Sequence, residues 1–133
     1  IEVFARRGLV VDFSGSWILP RIIGVQKAKE LMMTASEISG TKLNDYGVLY
    51  KLVEKPDLDT ELDNLVSLLD KQSFISICMI KDQIRKGLNT NFDESLSNET
   101  DNQNSRFVHS DVMEGMSAFI EKRQPEYKNT LDE

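Results

Sequence analysis

From Leu58 to Ile120 apolar residues recur at intervals of three and four, and this spacing limits the possible fold more than any other feature of the chain. Leu58, Leu62, Leu65, Val66 and Leu69 form one stripe. Ile77, Ile80, Ile84 and Leu88 form a second, with Gly87 near its end. Val112, Met113, Met116, Phe119 and Ile120 form the last. Stripes of this period bury one face of a helix; a strand would alternate every second residue. Phe92, Leu96 and Phe107 point to a further helix, although its middle, "SNETDNQNS", is polar and has weak helical propensity. Asp111 followed by Glu114 has the spacing of a capping box opening the last helix.

The first part of the chain is patterned differently. "IEVFARRGLVV" has mixed alternation around Gly8 and is predicted to be extended. "DFSG" supplies turn chemistry. A short helix is predicted from about Ser16, because Pro20 is tolerated only near a helix start, with Gly24 closing it. In "VQKAKELMMTA" the residues Val25, Ala28, Leu31, Met32 and Ala35 share one helical face. "SEISGTKLNDYG" holds about one helical turn ended by Gly47, and "VLYKLVE" is predicted to be a short strand. The chain opens at Ile1 directly into an apolar run with no cap or turn before it, which reads as a chain entered in the middle.

Charge narrows the partners. Residues 1–55 hold eight Lys/Arg and six Asp/Glu, whereas residues 56–133 hold eight and sixteen. An acidic second half repels phosphate backbones, so nucleic acid is not expected as a partner. No apolar run is long enough for a membrane span, and no secretory leader pattern is present. The single cysteine, Cys78, cannot staple a fold, so a reducing, cytoplasmic setting is expected. There is no His/Cys cluster of metal-binding spacing, no phosphate loop and no nucleophile elbow. Cys78, in "FISICMI", is expected in the core, and His109 on the surface. Lys122 and Arg123 are expected to face the C-terminal end of the last helix dipole, and Arg6 and Arg7 to be solvated edge charges.

One acid stands apart. In "RRGLVVDFSGSWILPR" Asp12 ends an apolar run and precedes small residues. Read as pattern alone, it is a cap or turn residue. Read for chemistry, it is a carboxylate with Val10, Val11, Phe13 and Trp17 available as an apolar setting, which makes a stronger base.

Four segments decide between broader readings. "GLVVDFSGSWILPRIIG", "AKELMMTASEISG", "YGVLYKLVE" and "EGMSAFIEKRQPEY" follow one another across nearly the whole chain. Their order and spacing resemble the second half of the enoyl-CoA hydratase/isomerase (crotonase) superfamily. That family reads G-L-x-P-x-x-G-G-x-x-x-L-x-R-x-x-G, then A-x-E-x-x-L-T-G, then G-L-V-x-x-V, and ends E-G-x-x-A-F-x-E-K-R-x-P-x-F. Here Val11 replaces the proline, Ser14-Gly15 the paired glycines, and Ala35 a glycine.

The resemblance implies an α/β crotonase-like fold, a spiral ββα core followed by a helical trimerisation region. This chain would hold the C-terminal, mostly helical part: residues 1–55 the end of the spiral core, residues 56–133 the helical oligomerisation region. It implies a coenzyme A thioester as substrate in fatty acid metabolism, no permanently bound cofactor or metal, and a homo-oligomer, trimer or hexamer. The family's two oxyanion-hole donors would precede Ile1. Losing one such donor typically raises the barrier by about 3 to 4 kcal/mol, so this polypeptide alone is expected to be inactive.

The resemblance also assigns residues. The family's hydratases use two glutamates, and the second falls at Phe4, whose ring moves no protons. Asp12 falls where dienoyl-CoA and Δ3,Δ2-enoyl-CoA isomerases carry an aspartate base, and where aryl-CoA dehalogenases carry a nucleophile. The implied activity is therefore double-bond isomerisation with Asp12 as general base and Phe4 and Trp17 lining the pocket. A hydratase with its glutamate upstream and a non-catalytic assembly protein are the alternatives. Tyr127 matches an aromatic that stacks on the adenine of coenzyme A in some members, with Lys128 near a phosphate; a frayed tail is the plainer reading.

Overall fold

The computed structural model describes residues 1–128. It divides into two compact units, Ile1–Asp57 and a second beginning at Leu58. Both are built from helices and irregular chain, with no strand among the described residues.

The first unit opens with a 3₁₀ turn, Val3–Arg7, where the sequence predicts extended chain. Gly8, at φ +69°, closes it, and Leu9 N–H donates to the Phe4 carbonyl at 3.0 Å. The difference has a simple cause. An extended run needs a neighbouring strand to take its backbone groups, and without one among the described residues the chain satisfies them locally. The predicted strand "VLYKLVE" is irregular for the same reason.

Helix α1 (Gly15–Ile23) begins close to the predicted position and ends at Gly24, whose N–H donates to the Pro20 carbonyl at 3.1 Å. Pro20 lies inside it, deeper than its missing donor would favour. Helix α2 (Val25–Thr34) packs on α1 and on the 3₁₀ turn. Ile23, Ala28 and Leu31 form the core, with Leu19, Met32, Ile38, Tyr46 and Val48 packed around them. Ala35 is fully buried at φ +48°, a left-handed conformation that explains the glycine usual in the resembling family. Helix α3 (Gly40–Asp45) is capped by Ser39, which accepts from Lys42 N–H at 3.2 Å.

The second unit carries α4 (Leu58–Asp70), α5 (Phe74–Gly87), α6 (Phe92–Arg106) and α7 (Ser110–Glu121). All four match predicted helices. The polar stretch "SNETDNQNS" is helical throughout, anchored at its start by Asn91, which accepts from Glu94 N–H at 2.9 Å. Helices α5 and α6 pack on each other. The apolar stripes are largely exposed: Leu58, Leu62, Val66 and Leu69 on α4, Ile80 and Ile84 on α5, Phe119 and Ile120 on α7. Cys78 is exposed as well, contrary to the expected core position. Its helix buries no residue within this unit, and Ile75, Ile77 and Met79 around the thiol are only half-buried, so there is no closed core face for it to enter.

Candidate functional site

The Asp12 segment is a tight turn leading into α1. Gly15 N–H donates to the Asp12 carbonyl at 2.9 Å. Between them Phe13 (φ +46°) and Ser14 (φ +62°) are both left-handed. Such a backbone is unfavourable by about 1 to 2 kcal/mol for a residue with a β-carbon. Ser14 is the N-cap of α1 but makes no side-chain cap bond, so its hydroxyl returns nothing for that strain. Gly15 is held by crowding, because a β-carbon there would stand 2.7 Å from Val11 Cγ1.

The turn sorts its side chains. Val11 is half-buried against Gly15, while Val10, Asp12 and Phe13 face solvent, Val10 at 86% and Phe13 at 92% exposure. Within this unit the apolar neighbours therefore flank the Asp12 carboxylate without covering it. Phe4 is half-buried on the 3₁₀ turn. Trp17 is half-buried on α1 and fixed by Arg21, whose guanidinium lies 3.9 Å from the ring centroid and donates to the Trp17 carbonyl at 2.9 Å. Phe4, Asp12 and Trp17 thus share the first unit; Tyr127 and Lys128 belong to the second. Arg6 and Arg7 are exposed, as expected.

Residues 124–128 are laid against α7. Arg123 holds Glu114 with two bonds, Nη1 to Oε1 at 2.5 Å and Nη2 to Oε2 at 2.9 Å. Glu126 N–H donates to the same carboxylate at 2.7 Å. The Arg123 bonds, then the Glu126 amide, hold the Glu114 carboxyl down to about 2. Tyr127 is half-buried over Gly115, and a cavity of about 190 Å³ lies beside it, lined by Ser73, Ser76, Asp111 and Met116 among others. Lys128 is exposed. The predicted role of Arg123 changes accordingly. Lys122 is the left-handed cap of α7 at φ +54°, and Arg123 is committed to Glu114 and Glu121 rather than to the helix end.

The second unit also hides a polar cluster that local patterns miss. Asp111 is 5% exposed and accepts from Ser73 Oγ at 2.5 Å and from Arg106 Nη2 at 3.4 Å. His109, predicted on the surface, has a side chain only 9% exposed. Its Nδ1 accepts from Asp111 N–H at 3.2 Å and lies 3.0 Å from Arg106 Nη2. His109 is thus the N-cap of α7, and Asp111 and Glu114 do not form the predicted capping box. Asp111 turns inward to Ser73, and Glu114 reaches forward to Arg123 instead of back to a cap.

Residues 2–130 match the family model described as enoyl-CoA hydratase/isomerase. The chain belongs to the enoyl-CoA hydratase/isomerase family. It is 28% identical to 1,2-epoxyphenylacetyl-CoA isomerase of Escherichia coli (strain K12), over 96% of this chain and 48% of that protein. It is 31% identical to trans-2-decenoyl-[acyl-carrier-protein] isomerase of Streptococcus mutans, again over 96% of this chain and 48% of that protein. Among solved structures, an enoyl-CoA hydratase from Polaromonas sp. JS666 superposes with a TM-score of 0.88 at 29% identity, covering 95% of this chain and 49% of that one. This member of the family therefore spans about half the length of the curated relatives it matches. The described, mostly helical chain therefore superposes on about half of that hydratase. No described helix is long and apolar enough to cross a membrane.

Proposed function

We propose that the protein containing this chain isomerises the double bond of an enoyl- or dienoyl-CoA, with Asp12 as the general base. The observation that carries the reading is the Asp12 turn: a carboxylate on a strained, tightly closed loop, flanked by the exposed side chains of Val10 and Phe13. Strained backbone concentrates at sites where geometry serves function. The chemistry suits a single acid. The carboxylate takes a proton from the carbon next to the thioester, the resulting enolate delocalises through the double bond, and the same proton returns two carbons along. No proton is gained or lost, and the carboxylate is regenerated.

Relatives named as isomerases support this reading. Relatives named as crotonyl-CoA and enoyl-CoA hydratases favour a second one, water addition, with the needed glutamate outside this chain. Phe4 weighs against it, since an apolar ring stands where the resemblance places one of two glutamates. The exposed stripes on α4 and α7 are in keeping with assembly into a homo-oligomer, trimer or hexamer. Tyr127 and Lys128 are proposed contacts for the nucleotide end of coenzyme A.

The test uses the full-length protein. Asp12→Asn keeps turn chemistry and removes the base. Double-bond migration, followed as an absorbance change, should fall by about 100-fold or more while thioester binding persists. Turnover equal to wild type would end the reading.

A further inference from the structure

We infer that Phe13 is a specificity-determining residue, the surface on which the acyl chain of the thioester lies while Asp12 acts on it. The inference rests on the reading of Asp12 as base and adds what selects the substrate.

Phe13 is poorly explained by folding within its own unit. Its backbone is left-handed at φ +46°, a conformation in which glycine would serve better, and an aromatic residue is among the worse choices. Its ring is 92% exposed, so burial in this unit returns nothing for the strain. Ser14, next to it, is also left-handed, and a β-carbon at Gly15 would stand 2.7 Å from Val11 Cγ1 and force that side chain to shift. The turn is therefore fixed from the inside by Val11 and Gly15, and what it presents outward is Asp12 together with Phe13.

Adjacency decides what would cover the ring. Asp12 and Phe13 are consecutive on this turn and both side chains are exposed, so a substrate whose reacting carbons meet the Asp12 carboxylate can lay its neighbouring methylenes on the Phe13 ring. Those methylenes are apolar, as the ring is. Val10, 86% exposed two residues before Asp12, offers a second apolar surface on the other side of the acid in sequence. The acyl chain is thus the ligand chemistry that this arrangement fits.

Full-length protein carrying Phe13→Gly or Phe13→Leu is compared with wild type on 3-hexenoyl-CoA and 3-dodecenoyl-CoA. The readout is the ratio of kcat/KM for the long chain to that for the short. Phe13→Gly should lower this ratio by about fivefold or more, since methylene contacts are lost on the long chain. Phe13→Leu, which keeps apolar bulk, should recover much of it. A ratio within about twofold of wild type in Phe13→Gly, with only thermal stability altered, overturns the inference and means that protein, not substrate, covers the ring. Asp12→Asn separates the two readings. If it retains wild-type turnover, the base assignment falls. If it is inactive while the Phe13 ratio is unmoved, only the present inference falls. Should wild type turn over neither thioester, the isomerase reading falls, and the affinity ratio for hexanoyl-CoA and dodecanoyl-CoA decides Phe13 on the same criterion.

Discussion

The Tyr127 hydroxyl lies 3.0 Å from the place where a β-carbon on Gly115 would stand, so the glycine in α7 makes room for the ring that follows it twelve residues later. A large side chain at that position cannot coexist with the ring. In Gly115→Leu the Tyr127 ring is displaced and the segment 124–128 loses one of its two attachments to α7. Limited trypsin cleavage near Lys122 and Arg123 should then accelerate several-fold, with the helices still intact by circular dichroism. If Tyr127 also meets coenzyme A, affinity for the cofactor portion of the substrate weakens in parallel.

The second attachment titrates. Arg123 and the Glu126 amide bond to the ionised form of Glu114, and its carboxyl is held at about 2, below the ordinary 4.5. A group whose folded value is depressed stabilises the bound arrangement fully above its unfolded value and loses that contribution as pH falls through the folded one. Segment 124–128 should therefore be held at neutral pH and released progressively from about pH 4.5 down to about pH 2. Tyrosine fluorescence anisotropy across that window should show the release in wild type. Glu114→Gln should show a flat profile, already loosened at neutral pH.

The turn at Asp12 offers a stabilising substitution. Ser14 is left-handed and its hydroxyl makes no cap bond, so Ser14→Gly removes strain and discards no hydrogen bond. The greater freedom of glycine in the unfolded chain offsets part of the gain, leaving a net stabilisation of roughly 0.5 to 1 kcal/mol, read as a higher Tm. Gly15→Ala is the contrasting variant. Its β-carbon would stand 2.7 Å from Val11 Cγ1, and that short side chain has little room to yield, so a loss of about 1 to 3 kcal/mol is expected.

What was legible in the sequence follows from the range of the interactions involved. Helices α4, α5 and α7 announce themselves because the helical period is written into Leu58–Leu69, Ile77–Leu88 and Val112–Ile120. The predicted strands around Gly8 and in "VLYKLVE" fail because pairing is a property of two segments, and no described segment pairs with either. Asp12 stands out as a lone acid before small residues, but the left-handed backbone of Phe13 and Ser14 is silent, since neither residue type signals such a conformation. The link between Glu114 and Arg123 has a signal in hindsight: E-G followed by K-R-x-P-x-Y repeats the contacts that tie the tail to α7. Ser73 and Asp111 have none. They are 38 residues apart, and nothing near either one shows that a serine capping α5 would meet a buried acid in α7.

That long-range pair yields the last prediction. Asp111 is buried among Ser73, Arg106 and His109, and two further buried donors, Arg106 Nε and His109 Nε2, lack partners among the described residues. Asp111 is thus the acceptor that compensates a buried guanidinium. Removing it leaves the cation unpaired and the Ser73 hydroxyl unsatisfied, and loss of one member of a buried pair is strongly destabilising. Asp111→Ala should lower unfolding stability by about 2 to 4 kcal/mol in chemical denaturation. Replacing both charges restores much of it, because the double variant Asp111→Ala, Arg106→Met no longer buries an orphaned cation. The sign of the coupling is the test. If the double variant is as unstable as the sum of its parts, Asp111 is not compensating Arg106, and the 3.4 Å contact between them is incidental to the stability of α7.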